Sequence, residues 1–305
     1  MRDKRLFWLV LLISFSLSAQ IKGVVVDENE KAIPYVNIWL ANGNLIATSE
    51  ADGGFTIETK ETTPGFIFSA LGYETKTIKA AQIEKVVLKT TTISLDEVVV
   101  KKAVANRQKE VGYYETSGFR YHMDYFVNAL LFDISKEERE AYPFIGAIKF
   151  RTLSENKNAK IRVIFVERNE DGSPSNRFLT EEAIVEVKKG NRKNVIDVSA
   201  RKIEVPENGF FIVFEKLKIE ENKHYEEYVY KNSKGDKKTM KGLYYQPEIP
   251  MVPVKDAVGW YKYVGDKWEK SRKTMLDKPN SYENLLMKKY HDKYLVPAVN
   301  ITLTN

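Results

Sequence analysis

Short apolar runs separated by turn chemistry are the feature that most constrains this chain. From Ile21 to Leu88 the runs are Gly23 to Val26, Tyr35 to Leu40, Ile46 to Ser49, Phe55 to Ile57, Phe66 to Phe68 and Lys85 to Leu88. Between them stand Asp27 to Lys31, Asn42-Gly43-Asn44 and Asp52-Gly53-Gly54, where glycine supplies the positive φ that tight turns demand. Runs this short, with a turn signal about every 8–12 residues, predict a β-sandwich. A second region repeats the pattern over Phe144 to Thr152, Lys160 to Glu167, Ala183 to Val187, Val195 to Val198, Phe210 to Phe214 and Pro297 to Leu303. Asn169 to Pro174 and Lys189 to Arg192 read as turns, and Ser135 with Glu138 three residues on reads as the cap of a short helix. Glu220 to Lys241 is highly charged and predicts a long exposed loop or hairpin.

The expectation is an all-β chain of two β-sandwich domains, a transthyretin-like one followed by a larger, jelly-roll-like one. The boundaries predicted are 1–19 for a signal peptide, 20–100 for the first sandwich, 101–112 for a polar linker and 113–305 for the second. Ile93 to Lys102 reads as one more strand or as extended linker.

The first residues predict export. Arg2, Lys4 and Arg5 precede a nearly unbroken apolar run from Leu6 to Leu17, and Ser18 and Ala19 offer a cleavage site before Gln20. That run is too short to span a bilayer, and no other stretch approaches the ~18 apolar residues a spanning helix needs. The chain has no cysteine. Disulfides, thiolate metal sites, cysteine nucleophiles and a lipid anchor on an N-terminal cysteine are thereby excluded. Charged residues make up 30% of the chain, with both signs interspersed, which reads as a solvated surface and not as the basic stripe of a nucleic-acid binder.

A set of spaced residues in the first region resembles a known family. Gly23, Val25, Asp27, Ile33-Pro34, Val36-Asn37-Ile38, Ser49, Asp52-Gly53, Phe55, Ser69 and Leu71-Gly72-Tyr73 look like the carboxypeptidase regulatory-like domain. The resemblance covers roughly residues 21 to 90 and implies a small transthyretin-like sandwich; a fold of this kind implies no activity by itself. Leu95 to Val100 is similar to the junction that follows this domain in TonB-dependent outer-membrane receptors. The sequence beyond it does not resemble a plug, and the chain is too short for a barrel of some twenty strands. Gly172 to Pro174, Arg177 to Leu179 and Asn208 to Ile212 make the second region loosely similar to C-terminal sandwiches of secreted bacterial proteins, which implies the fold alone.

Few residues of the chain suit catalytic or metal chemistry. His224 and Glu227 have the short spacing of a zinc carboxypeptidase pair, with His291 available as a distant third ligand, but they lie in the charged stretch and no metal is expected. Three histidines in all, with no Gly-x-Ser-x-Gly elbow and no phosphate-binding glycine loop, give no basis for a triad or a nucleotide site. Adjacent carboxylates such as Asp96-Glu97, Glu137-Glu138 and Glu226-Glu227 point to opposite faces of any strand that holds them. The acidic turns Asp27 to Glu30 and Glu167 to Asp171 lack the ligand periodicity of a calcium loop.

The expectation is therefore a non-catalytic, exported binding or accessory protein of a Gram-negative envelope, without cofactor. It would reside in the periplasm or at the outer-membrane surface and contact a protein or glycan there, in association with an outer-membrane receptor system. No nucleic acid is expected as a partner, and no transmembrane segment once the signal is removed. The alternative is an envelope hydrolase acting on peptide or polysaccharide. The candidate ligand-binding residues are Tyr261, Tyr263, Tyr244, Tyr245 and Trp268, flat side chains suited to sugar rings or a protein partner. A hairpin turning at Gly265-Asp266 predicts Trp260 in the core, with Tyr261 and Tyr263 facing outward.

Overall fold

The computed structural model describes residues 20–59, 65–70, 72–79, 83–91, 107–114, 126–231, 236–262, 268–275 and 288–305. The chain divides into two compact units, Met1–Thr90 and Thr91–Asn305, and the regular structure described in both is mainly strand.

The first unit contains β1 (Ile21–Val26), β2 (Asn37–Leu40), β3 (Leu45–Thr48), β4 (Gly54–Ile57), β5 (Phe66–Ser69), β6 (Lys76–Ile78) and β7 (Lys85–Val87). They form two sheets, in the orders β4-β1-β7 and β3-β2-β5-β6. The β1–β7 pair is parallel and the other pairs are antiparallel. Val25, Phe55, Ile57 and Val86 from the first sheet meet Ile38, Leu40, Phe66 and Phe68 from the second in one buried cluster. The rings of Phe55 and Phe68 lie 5.5 Å apart across that core.

The family-like residues hold this sandwich together. All four residues of β2 are buried because the strand lies between β3 and β5. Ile38 and Leu40 fill the core, while on the other face Thr48 donates to the Asn37 side chain at 3.2 Å and Trp39 Nε1 donates to Ser69 Oγ at 2.9 Å. Ser49 Oγ accepts from the Val36 amide at 2.8 Å and donates to the Ile33 carbonyl at 3.2 Å, satisfying a buried hydroxyl. Gly53 adopts φ +77°, and a Cβ there would stand 2.6 Å from the Val25 carbonyl oxygen, so no other residue fits without a backbone shift.

The second unit opens with β8 (Gln108–Tyr113) and β9 (Val127–Phe132), followed by a short helix α1 (Lys136–Ala141). Ser135 caps α1 by accepting from the Glu138 amide at 3.3 Å, as the spacing predicts. Next come β10 (Phe144–Ser154), β11 (Ala159–Arg168), β12 (Pro174–Phe178), β13 (Ala183–Val187), β14 (Gly190–Asp197) and β15 (Ile203–Glu204). Then follow β16 (Phe210–Lys216), β17 (Lys223–Lys231), β18 (Lys237–Tyr245) and β19 (Met251–Val254). The described residues close with β20 (Gly259–Lys262), β21 (Trp268–Lys270), β22 (Tyr294–Pro297) and β23 (Val299–Thr304).

A five-stranded sheet (β14-β10-β23-β8, with β15 on β10) packs against a seven-stranded sheet (β12-β11-β16-β9-β20-β21, with β13 on β11). Ile145, Ile148, Phe150 and Ile301 from the first meet Leu130, Ile161, Phe165 and Phe214 from the second in the larger core. Phe150 and Phe214 approach to 5.2 Å between ring centroids. The pairs β19–β22 and β17–β18 form two further small sheets.

The polar segment expected as a linker, 101–112, is structured over its last residues. β8 is an edge strand hydrogen-bonded along β23, from Gln108↔Thr304 to Tyr113↔Val299. Val111 and Tyr113 pack against the core while Gln108, Glu110 and Gly112 face solvent. An edge strand with one wet face reads as polar in sequence, which is why it resembles linker. The expected strand at 93–102, including Leu95 to Val100, lies outside the described residues.

Candidate functional site

The expected aromatic site does not assemble as one surface. Tyr263 lies outside the described residues. Tyr244 and Tyr245 belong to the β17–β18 pair, a different sheet from the one holding Tyr261 and Trp268. The faces of β20 are the reverse of those expected. Tyr261 pairs with Asn128 of β9, on the side of the sheet that carries Leu130 into the core, and is only 6% exposed. Its hydroxyl donates to Glu269 Oε2 at 3.3 Å. Trp260 pairs with Ala129 on the opposite face, half-buried, with its ring edge-on to Phe211 at 6.5 Å. Tyr261 is thus a core residue and unavailable to a ligand. The expectation failed because both faces of this sheet are apolar: Phe211, Val213, Val166 and Ala129, on the side away from the central core, are buried too. No polar face marked the outside.

The outward-facing surface is the hairpin of β17 and β18, which the charged stretch 220–241 foreshadowed. Its strands pair antiparallel over nine residues each, from Lys223↔Tyr245 to Lys231↔Lys237. Among the described residues no third strand joins either edge. Side chains alternate, so Tyr225, Glu227 and Val229 share a face with their cross-strand partners Leu243, Lys241 and Thr239. All six are exposed, and Tyr225 and Val229 each keep 64% of their surface in water. Leu243 at 43% and, on the other face, Met240 at 46% add to an unusual concentration of exposed large apolar side chains. Glu227 and Lys241 form an ion pair of 2.7 Å between the Tyr225–Leu243 and Val229–Thr239 pairs. Sequence reasoning missed these residues because the lysines and glutamates around them mask the alternation.

The root of this ribbon is held firmly. Asn222 is fully buried, and its Oδ1 accepts from the Lys160 amide at 2.7 Å. Its Nδ2 donates to the carbonyls of Lys160 and Leu217 at 2.8 and 2.9 Å. Asn156 Nδ2 donates to the carbonyls of Glu221 and Lys223, both at 2.9 Å, and the Gln246 amide donates to the Asn222 carbonyl at 2.7 Å. Beside these bonds, Lys218 Nζ lies 4.2 Å from the Phe126 ring centre and 5.5 Å from that of Tyr245, and the two rings meet edge-on at 6.1 Å. Burial in this cluster lowers the Lys218 pKa to about 8, because desolvation disfavours its ammonium form. Tyr245 is therefore part of the anchor. Tyr244 folds back along its own strand, against Gly242. Trp268 is half-buried at the sheet-edge strand β21.

The candidate metal ligands have other placements. His224 and Glu227, three apart on β17, project from opposite faces, and Glu227 holds Lys241. His291 sits in a turn after Lys288–Tyr290. Among the described residues no group of three or more His, Asp or Glu side chains converges as metal ligands. In the acidic turns the carboxylates fold the turn itself: Asp27 Oδ1 accepts from the amides of Asn29 and Lys31, and Asp171 Oδ1 accepts from the amide and hydroxyl of Ser173. Glu30 pairs with Lys85.

One buried charged cluster stands apart. Arg162 of β11 reaches Glu215 Oε2 at 2.6 Å and Glu182 Oε2 at 3.1 Å. Burial pushes the Glu182 carboxyl up, with the Arg162 charge opposing and that of Glu215 reinforcing the shift. Two carboxylates clamped on one guanidinium serve as an internal brace on the apolar face of the seven-stranded sheet.

No curated protein and no solved structure matches the chain. A family model does match its first part, over residues 21–100, the region whose turns, buried hydroxyls and paired sheets are described above. That region is a CarboxypepD_reg-like domain, a β-sandwich, as its spaced residues predict.

Proposed function

We propose that this protein is an exported, non-catalytic binding or accessory protein of a Gram-negative envelope, and that its β17–β18 ribbon is the contact surface. The observation carrying this reading is the exposure of Tyr225, Val229, Leu243 and Met240 on a two-stranded ribbon whose root is rigidly bonded. An isolated two-stranded ribbon gains little stability in water. Nine-residue strands with large apolar side chains turned outward are therefore better explained by contact than by folding. The N-terminal basic and apolar residues support export, and the regulatory-like domain supports an accessory role. The candidate site moves accordingly from the Tyr261 hairpin to the ribbon.

The test compares the exported protein with a Tyr225→Asp, Val229→Asp variant for retention on isolated envelope fractions, with thermal melts of both. Retention lost while the melt is unchanged supports the reading. Equal retention of the two proteins would remove the ribbon from the function.

A further inference from the structure

We propose that the exposed face of the β17–β18 ribbon docks on the anionic headgroups of a phospholipid bilayer. This inference rests on the reading of the ribbon as the contact surface and names what it contacts. The sequence from Lys223 to Tyr245 has six lysines and three carboxylates, Glu226, Glu227 and Asp236, and one of the six, Lys223, is paired with Glu220 at 2.7 Å. On the exposed face Glu227 and Lys241 neutralise one another, and toward the tip Lys237 is exposed on that face and Lys238 on the other, flanking it. Apolar side chains set beside an excess of lysine match the boundary between acyl chains and anionic headgroups, where tyrosine is also at home.

Three other occupants fit less well. Nine-residue strands at ~3.3 Å per residue make a ribbon about 30 Å long and about 10 Å wide. That face offers on the order of 300 Å², well below the ~800 Å² per partner of a stable protein interface, so a second copy of the chain would be poorly held by it. Lysines along an edge discourage addition of a strand from another chain. Val229 and Leu243 are aliphatic and lack the flat faces on which sugars stack. A bilayer requires neither a matched surface nor a strand, and the ribbon's backbone edges stay hydrated when it lies at headgroup depth.

The experiment is cosedimentation of the exported protein with phosphatidylcholine vesicles, with and without phosphatidylglycerol. Binding to the phosphatidylglycerol vesicles alone, weakened by salt, is expected. Val229→Asp with Leu243→Asp, and separately Lys237→Glu with Lys238→Glu, should each lower binding about tenfold or more. Val195→Asp, a change at an exposed residue of β14, should leave it unchanged. In a Tyr225→Trp variant the added emission should shift to the blue on the same vesicles. Absence of binding, or binding indifferent to the ribbon variants, overturns the inference. Should envelope fractions retain the wild type through the ribbon only until treated with protease, the partner is a protein: the lipid inference falls and the proposed function stands. Failure of the ribbon variants to alter either assay ends both.

Discussion

Two hairpins of the second unit look alike in sequence and behave oppositely in the fold. β20–β21 and β17–β18 both mix aromatic with charged residues, and both turn back on themselves. β20 is joined to β9, becoming part of the seven-stranded sheet, so its alternate residues meet apolar neighbours on either side and Tyr261 is drawn inward. β17–β18 gains no third strand among the described residues, and its apolar side chains stay in water. The fate of an aromatic hairpin is decided by what it pairs with, more than by what it contains.

The two regions should differ in what each contributes to stability. Phe214 belongs to the packed core to which the first hairpin attaches, and Phe214→Ala should cost about 3–5 kcal/mol in a denaturant titration. Tyr261→Ala should cost nearly as much, about 2–4 kcal/mol, because it opens a cavity beneath β20. A loss below ~0.5 kcal/mol would mean that Tyr261 is surface after all. Asn222→Ala, at the ribbon's root, should cost about 1–3 kcal/mol by leaving the Lys160 backbone groups unpaired.

Lys218 gives a pH-dependent prediction of smaller size. Its pKa falls from 10.5 unfolded to about 8 folded, so below about pH 8 the native state carries the full cost of burying an ammonium. Between about pH 8 and 10.5 the unfolded chain binds more protons, and this cost is relieved as pH rises. Lys218→Met should then stabilise the protein at pH 7 by on the order of 1 kcal/mol, since the ring contacts offset part of the penalty. Unfolding measured at pH 7 and pH 10 in both proteins should show that advantage shrinking; an advantage that grows with pH would contradict the assignment. Smallest of all, Tyr225→Ala and Val229→Ala on the ribbon should each stay within about 0.5 kcal/mol of the wild type.

The same contrast explains what was legible in the sequence. The first unit was readable because its constraints are local: Asp27, Asp52 and Gly53 each fix a turn within a few residues, and a family pattern gathers them. Strands such as β10, β11 and β16 announce themselves by apolar content. The orientation of Trp260 and Tyr261 was not readable, since it depends on register with β9, some 130 residues earlier in the chain. A one-residue change in that register would exchange the two faces. The ribbon's exposed face was hidden for a related reason. Glu227 and Lys241 interrupt the apolar series of Tyr225, Val229 and Leu243 in sequence, and only the absence of a covering layer among the described residues marks that face as a surface.

The proposed role of the ribbon requires that it lie outside the packed sandwich and gain cover only on contact. Backbone hydrogen–deuterium exchange resolved along β16, β17, β18 and β20, with and without envelope membranes, tests it most directly. The account predicts slow exchange in β16 and β20 under both conditions, with fast exchange at the outer-edge amides of β17 and β18 that slows when membranes are added. Outer-edge ribbon amides as protected as those of β16 in the protein alone, or protection gained on membranes only at β20 and β21, would contradict it.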